Sequence, residues 1–325
     1  MPRKVHTDVT TTLKQQQTKA NKSNPLQGSR RTAGTRPERL SSGMFALLLV
    51  VPGMALMAVV VAYPLISALV TAFFRQSLVL PGREFVGIQN IVDVLESDFL
   101  RLLAQTLVFT LGTTIAPFVI GFALALALNT QIRGSKVMRG LMLIPWLVPG
   151  VVVSFLWMWI FNANYGVMNA ILEPLGVAPQ AWLAQPGTAM FAVIVAKTWQ
   201  SFPWMMVMLL AGLQTVPREL HEAAEMDGAG TVRRFFSITV PQIGGIIGLV
   251  LLLEFIWNFQ HFDIIYVLTG GGPAGSTETF ATAVYETAFH GFDLGHAGAL
   301  GLLWMVLLMA LVVVYVRFSE RGEKR

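Results

Sequence analysis

The sequence predicts an all-α fold, a polytopic membrane protein with six transmembrane helices. Composition gives the first reason. Of 325 residues, 54% are hydrophobic and 13% charged, where a soluble domain averages about 25% charged. Segmentation gives the second. A helix needs about 20 apolar residues to cross the bilayer core, and six stretches supply them: 44–73, 102–129, 138–161, 189–213, 242–267 and 296–318. Charge placement gives the third. Six spans put 19 of the 23 Lys and Arg residues on one face or its flanks, an asymmetry that marks the cytoplasmic side. Both termini are therefore expected in the cytoplasm.

Residues 1–43 form a polar leader with nine Lys or Arg and almost no large apolar residues. Such a segment cannot bury enough surface to offset its ordering entropy, so it reads as a disordered basic cytoplasmic leader. A basic tail can bind nucleic acid, but one placed just before a span reads as a topology signal, and no nucleic-acid partner is expected. The first apolar run starts near Met44 and is too long and too late for a cleaved signal, so it stays as an anchor. Pro52, Pro64, Pro117, Pro145, Pro149 and Pro203 fall inside spans, where neighbours can satisfy the freed backbone groups. Gly244 and Gly248 permit close helix approach. The chain has no cysteine, which excludes disulfides, thiolate metal sites and cysteine nucleophiles.

Three connections make the outer face. In 75–101, Phe85–Asn90 is followed by Ile91, Val92, Val94, Leu95 and Phe99, the pattern of a short amphipathic helix along the interface. Residues 162–188 and 268–295 read as turn-rich loops. Trp157 and Trp159 are expected in an interfacial aromatic belt. A tail, 319–325, ends the chain inside.

The loop 214–241 reads as helix, break, helix. Pro217 suits the first turn, and Glu219 and Glu222 suit the positive end of the helix dipole. Leu220, Ala223 and Ala224 make one small apolar face. Asp227-Gly228 ends the helix, because glycine takes the left-handed C-cap without a Cβ penalty. Val232, Phe235 and Phe236 restart an apolar face before Pro241. Small alanines make a poor lipid anchor and a good seat in a partner's groove, so Glu222, Ala223, Ala224, Asp227, Gly228 and Ala229 are candidates for docking a partner. Two enzyme patterns fail. His221-Glu222 lacks the second His of a zinc-protease helix, and Gly270–Gly272 lacks the Lys-Ser/Thr of a phosphate loop. The chain is expected to be no enzyme and to bind no metal or cofactor of its own, so any ATP and Mg that its work consumes would have to be bound by another subunit.

Polar residues inside spans are the second informative class. Lys197, Gln200 and Ser201 lie in the fourth span, with Glu254, Asn258, Gln260, His261 and Asp263 in or near the fifth. A mid-bilayer charge costs about 2.5–3.5 kcal/mol on insertion scales, so Lys197 and Glu254 should face protein or water. They could pair structurally, or they could line a hydrophilic path with Trp199, Trp204, Trp257 and Phe259. The candidate path residues are Trp199, Gln200, Glu254, Asn258, Gln260 and His261, a mix that suits a neutral polyol better than a metal ion.

The run Glu222-Ala223-Ala224-Glu225-Met226-Asp227-Gly228-Ala229-Gly230, with Ile238 and Pro241, resembles the EAA loop of permease subunits from binding-protein-dependent ABC importers. Over roughly 44–318 the chain looks like the maltose-type carbohydrate permeases. The likeness is carried by Phe85-Val86-Gly87-Ile88-Gln89-Asn90, Pro145-Trp146-Leu147-Val148-Pro149, Asn164-Tyr165-Gly166-Val167-Met168-Asn169 and Trp257 through Pro273. It implies the type I permease fold of ABC importers in the cell membrane of a prokaryote. It also implies a second homologous permease subunit, two ATPase subunits, an extracytoplasmic binding protein and a sugar substrate. A glycerol-phosphate permease is the alternative within the family, and its anion would favour cations in the path. An ion-coupled secondary transporter is the alternative of another class, but no inverted repeat or matching pair of broken helices is visible.

Overall fold

The structure is a computed structural model describing residues 42–129 and 134–323. The leader up to residue 41, residues 130–133 of the link after the second span and the last two residues of the tail lie outside the described residues. The chain divides into two compact units, Met1–Ala58 and Val59–Arg325. The described part of the first unit is α1, Ser42–Met57. The second holds α2, Tyr63–Thr71, and everything after it.

Among the described residues, four helical runs are long and apolar enough to cross a membrane: Ala46–Thr71, Phe99–Leu128, Pro186–Leu213 and Leu294–Arg317. Two further spans are bent pairs, Ser135–Leu147 with Gly150–Ile160 and Thr231–Gln242 with Gly244–Phe259, turned by 93° and 68°. The expected count of six spans holds with each bent pair as one span, but the third and fifth are not straight helices. In the third, α5 (Ser135–Met142) and α6 (Ile144–Leu147) stop at Val148. Pro149 has no N–H to continue the ladder and forces the residue before it out of helical geometry. Val148 accordingly sits extended at φ −77°, ψ 129°, and α7 starts afresh at Gly150–Ile160.

The second span, α4 (Phe99–Leu128), buries Thr106, Thr110, Thr113, Thr114, Pro117 and Gly121 on one face. It packs along the fourth span, α8 (Pro186–Leu213), the short helix Val167–Leu172 before it being counted with its loop. At Gly121 a Cβ would lie 2.7 Å from Met205 Cβ and 2.8 Å from the Met206 amide, so this crossing needs glycine. A core of Phe109, Val153, Trp157, Phe161, Val193 and Ile264 joins the second, third and fourth spans to the short helix Asp263–Thr269. Trp157 is thus interior, unlike exposed Trp159. Its ring sits against Phe161 and Trp199, and that packing removes it from the expected aromatic belt.

Past the fourth span come α9 (Arg218–Met226), α10 (Thr231–Arg234), a π-helical turn Phe235–Thr239 and α11 (Val240–Gln242). The fifth span proper, α12 (Gly244–Phe259), breaks at Gln260–Phe262 before α13 (Asp263–Thr269). Trp304 Nε1 donates to the freed Phe259 carbonyl at 3.2 Å. After α14 (Phe280–Tyr285), the last span is α15, Leu294–Glu323. The segment after the first span holds a hairpin that the sequence did not reveal, β1 (Phe74–Gln76) against β2 (Arg83–Phe85). The expected amphipathic helix, α3, follows it at Gln89–Glu96. Buried Asn90 in that helix donates through Nδ2 to the carbonyls of Ala72 and Phe74, both at 2.9 Å.

Candidate functional site

The two breaks in the third and fifth spans face the fourth span across a polar cavity of about 210 Å³. Its walls carry Trp146, Lys197, Gln200, Ser201, Trp204, Glu254, Trp257, His261 and Asp263. Each break contributes what a continuous helix could not. At the third-span break the Val148 carbonyl has lost its helical donor, and Gln200 Nε2 supplies one at 3.1 Å. The same Gln200 accepts from Lys197 Nζ at 3.3 Å. This amide therefore ties the break to Lys197 of the fourth span.

At the fifth-span break, Asp263 starts α13 with its carboxylate against the first residue of α7. A Cβ on Gly150 would collide with that carboxylate, whose Cγ would be 2.9 Å away. Asp263 Oδ1 also lies 3.0 Å from His261 Nε2, and the imidazole stacks on Phe109 at 6.1 Å between centroids. Six residues before the break, Glu254 is buried and its Oε1 accepts from Asn258 Nδ2 at 3.2 Å. Asn258 Nδ2 is shared with the Thr113 carbonyl at 3.0 Å. The amide anchors the Glu254 carboxylate to the second span.

Three indoles complete the cavity. Trp146 and Trp204 stack at 6.3 Å with an interplanar angle of 17°, and Trp204 meets Trp257 at 5.5 Å. Trp204 Nε1 is buried beside the Glu254 carboxylate. The site can thus offer an aromatic wall, two carboxylates, an amide, an ammonium and an indole N–H to one small ligand.

Of the path residues expected from sequence, Gln200, Glu254 and His261 line this cavity. Trp199 stands behind it in the core beside Trp157. Asn258 is buried on the side of the second span. Gln260 faces a separate, mostly apolar groove of about 610 Å³ between α2 and the last span. Lys197 and Glu254 do not form an ion pair within 4 Å. Gly150 had no signal of its own in the sequence beyond following Pro149.

The second candidate element is the loop after the fourth span. Pro217 sits just outside the helix, extended at φ −61°, ψ 134°, and α9 runs to Met226. Gly228 takes φ +78°. Its N–H donates to the Glu225 carbonyl at 3.0 Å and that of Ala229 to the Ala224 carbonyl at 2.9 Å. These two bonds make a Schellman end that satisfies the last carbonyls without help from elsewhere. Glu225 Oε2 and Arg234 Nη1 then clip the two short helices together at 2.9 Å. Phe235 reaches the second span at Phe122, 5.6 Å between centroids. Met226 is 89% exposed, and Val232 and Phe236 are also largely exposed.

Residues 117–323 match the family described as binding-protein-dependent transport system inner membrane component. The chain belongs to that family. It is 36% identical over 277 residues to the trehalose/maltose transport system permease protein MalF of Thermococcus litoralis, covering 84% of this chain and 92% of that protein. It is 33% identical over 281 residues to the sn-glycerol-3-phosphate transport system permease protein UgpA of Yersinia enterocolitica, covering 84% and 93%. A solved bacterial ABC transporter involved in alginate import has the same fold, with a TM-score of 0.74 at 22% identity over 85% of this chain and 95% of that one. The protein is therefore a multi-pass inner-membrane permease with the type I importer fold, and a component of a binding-protein-dependent transport system.

Proposed function

We propose that the chain is one of two permease subunits in an ATP-driven sugar importer, and that its polar cavity is a station for a neutral sugar. The observation that carries this is the row Trp146–Trp204–Trp257 facing Gln200, Glu254 and Asp263. Sugar C–H faces pack on aromatic rings, and carboxylates and amides accept or bridge adjacent hydroxyls. A site of buried polar groups rejects a ligand that leaves them unpaired. Asn258 would act by holding Glu254, and Trp199 by backing the wall. A glycerol-phosphate substrate is less suited, because Lys197 is outnumbered by Glu254 and Asp263.

Both termini would be cytoplasmic, as the basic residues place them. The loop from Glu222 to Ala229 would then seat in an ATPase subunit, and ATP with Mg would be bound there and not by this chain. Two such subunits, a second permease and an extracytoplasmic binding protein would complete the system, with closure of the ATPases tilting the spans and exposing the cavity outward.

The test is the assembled complex in proteoliposomes with its binding protein. Neutral sugars should stimulate its ATPase activity, and Glu254→Gln or Trp204→Ala should lower sugar uptake with the complex intact. Stimulation by glycerol 3-phosphate alone would replace the sugar reading, and a proton-driven activity of the lone chain would end the importer reading. Topology has its own check. Cysteines placed at Thr35 and Ser319 should resist an impermeant thiol reagent in intact cells while one at Ser276 reacts, and the opposite pattern would invert the assignment.

A further inference from the structure

We propose that the tip of the β1–β2 hairpin, Leu78-Val79-Leu80, is a docking contact for the extracytoplasmic binding protein. The inference rests on the importer reading and adds a contact surface to it. The direction of β1 is the first observation. This strand leaves the first span and pairs with β2 in the register Phe74↔Phe85 and Gln76↔Arg83. On its other side it lies antiparallel to the stretch that enters the last span. Ser77 bridges Asp293, Leu78 N donates to the Phe292 carbonyl at 2.9 Å, and Gly295 lies against the Phe74 carbonyl. Because 292–295 leads into the membrane, β1 leads out of it. Its turn therefore stands in water beyond the ends of the spans.

The second observation is what the turn carries there. Leu78, Val79 and Leu80 are 50%, 63% and 69% exposed. Three consecutive exposed apolar residues are a liability in water unless something covers them. The turn is also held in shape. Ser77 Oγ accepts from the amides of Val79 at 3.3 Å and Leu80 at 3.4 Å. Arg75 and Glu84 pair across the strands at 3.3 Å, and the Arg83 guanidinium sits 3.6 Å above the Phe74 ring. A fixed turn loses little conformational freedom when it binds. The result is a preformed apolar knob with a charged collar.

Lipid is a poor cover for a turn that points away from the hydrocarbon, and a second permease lies mainly within it. The component that approaches this face from water is the binding protein on which the family depends. Its complementary surface would be a shallow apolar pocket with a polar rim, since a small buried apolar centre commonly carries much of an interface's energy.

The experiment uses the whole complex in lipid nanodiscs with its binding protein. Replacing Leu78, Val79 and Leu80 together by Ser leaves every buried side chain in place. The binding-protein concentration for half-maximal ATPase stimulation should rise about tenfold or more, with ATPase activity in the absence of binding protein unchanged. A photo-crosslinking residue at Val79 should form its adduct with the binding protein. An unchanged half-maximal concentration, or an adduct to lipid or to the second permease, would overturn the proposal. A wild-type complex that its binding protein does not stimulate would bring down the importer reading and this one together. A stimulated wild type with an unaffected variant would bring down the hairpin alone.

Discussion

Gly228 and Gly150 each sit at a break between helices, yet glycine is needed at the two places for opposite reasons. Gly228 has open space around it and a backbone that few other residues adopt, at φ +78° with nothing within 4 Å of an added Cβ. Gly150 is an ordinary helical residue with no room, pressed by the carboxylate of Asp263. The first break satisfies its own carbonyls through local Schellman bonds. The second leaves the Val148 carbonyl to a side chain from another span, Gln200. A break in water can be closed by its neighbours in sequence, whereas one in the membrane must be closed by distant residues. The distant partners of the membrane break are the residues that line the cavity.

The largest effect should come from Gly228→Asp. Left-handed geometry costs a residue with a Cβ about 1 kcal/mol or more, and the added carboxylate enters the open space that the proposed ATPase partner would fill. Membrane levels should stay normal, uptake should be lost, and the ATPase subunit should be retained less well on purification. Full uptake with Asp at this position would mean that the loop does not couple.

Gly150→Val should act next, and through the cavity. The new side chain displaces the Asp263 carboxylate from beside α7 and His261, so sugar uptake should fall several-fold while the ATPase subunit still copurifies. Normal uptake would separate Asp263 from the transport path. Gln200→Leu sharpens the comparison by attacking the carbonyl in place of the glycine. A buried acceptor left unpaired costs about 1–3 kcal/mol. The variant complex should therefore melt several degrees lower, and Gln200→Glu would not restore it, because a carboxylate cannot donate to Val148. A Gln200→Leu complex as stable as wild type would mean that water already serves that carbonyl.

These contrasts also explain what the sequence made legible. The spans, the loop and its glycine were readable because hydropathy, helix ends and the turn Asp227-Gly228 are local signals. Gln200, Glu254 and His261 stood out because polar groups in apolar helices are costly. The gathering of Trp146, Asp263 and Gly150 around them was not readable, since it depends on how far Pro149 bends the third span and where the fifth breaks. Asn258 and Gln260 belong to the same short stretch, yet the break after Phe259 sends one toward the second span and the other toward the groove at α2. The hairpin was hidden because each of its strands has three residues, too few for an alternating pattern.

The smallest effect should come from the clip between Glu225 and Arg234. Glu225 is mostly exposed, and pairs of this kind are worth about 0–1 kcal/mol, so neither Glu225→Gln nor Arg234→Gln should lower the melting temperature appreciably. The clip nevertheless joins α9 to α10, and α10 runs directly into the π-helical turn whose Phe235 meets Phe122 of the second span. If the loop moves as one body, loosening it should lower the number of sugars carried per ATP hydrolysed without changing ATPase activity itself. Reversing both charges, Glu225→Arg with Arg234→Glu, should restore that ratio. A ratio that stays at the wild-type value in both single variants would show that Phe235 and the backbone transmit the motion without the ion pair.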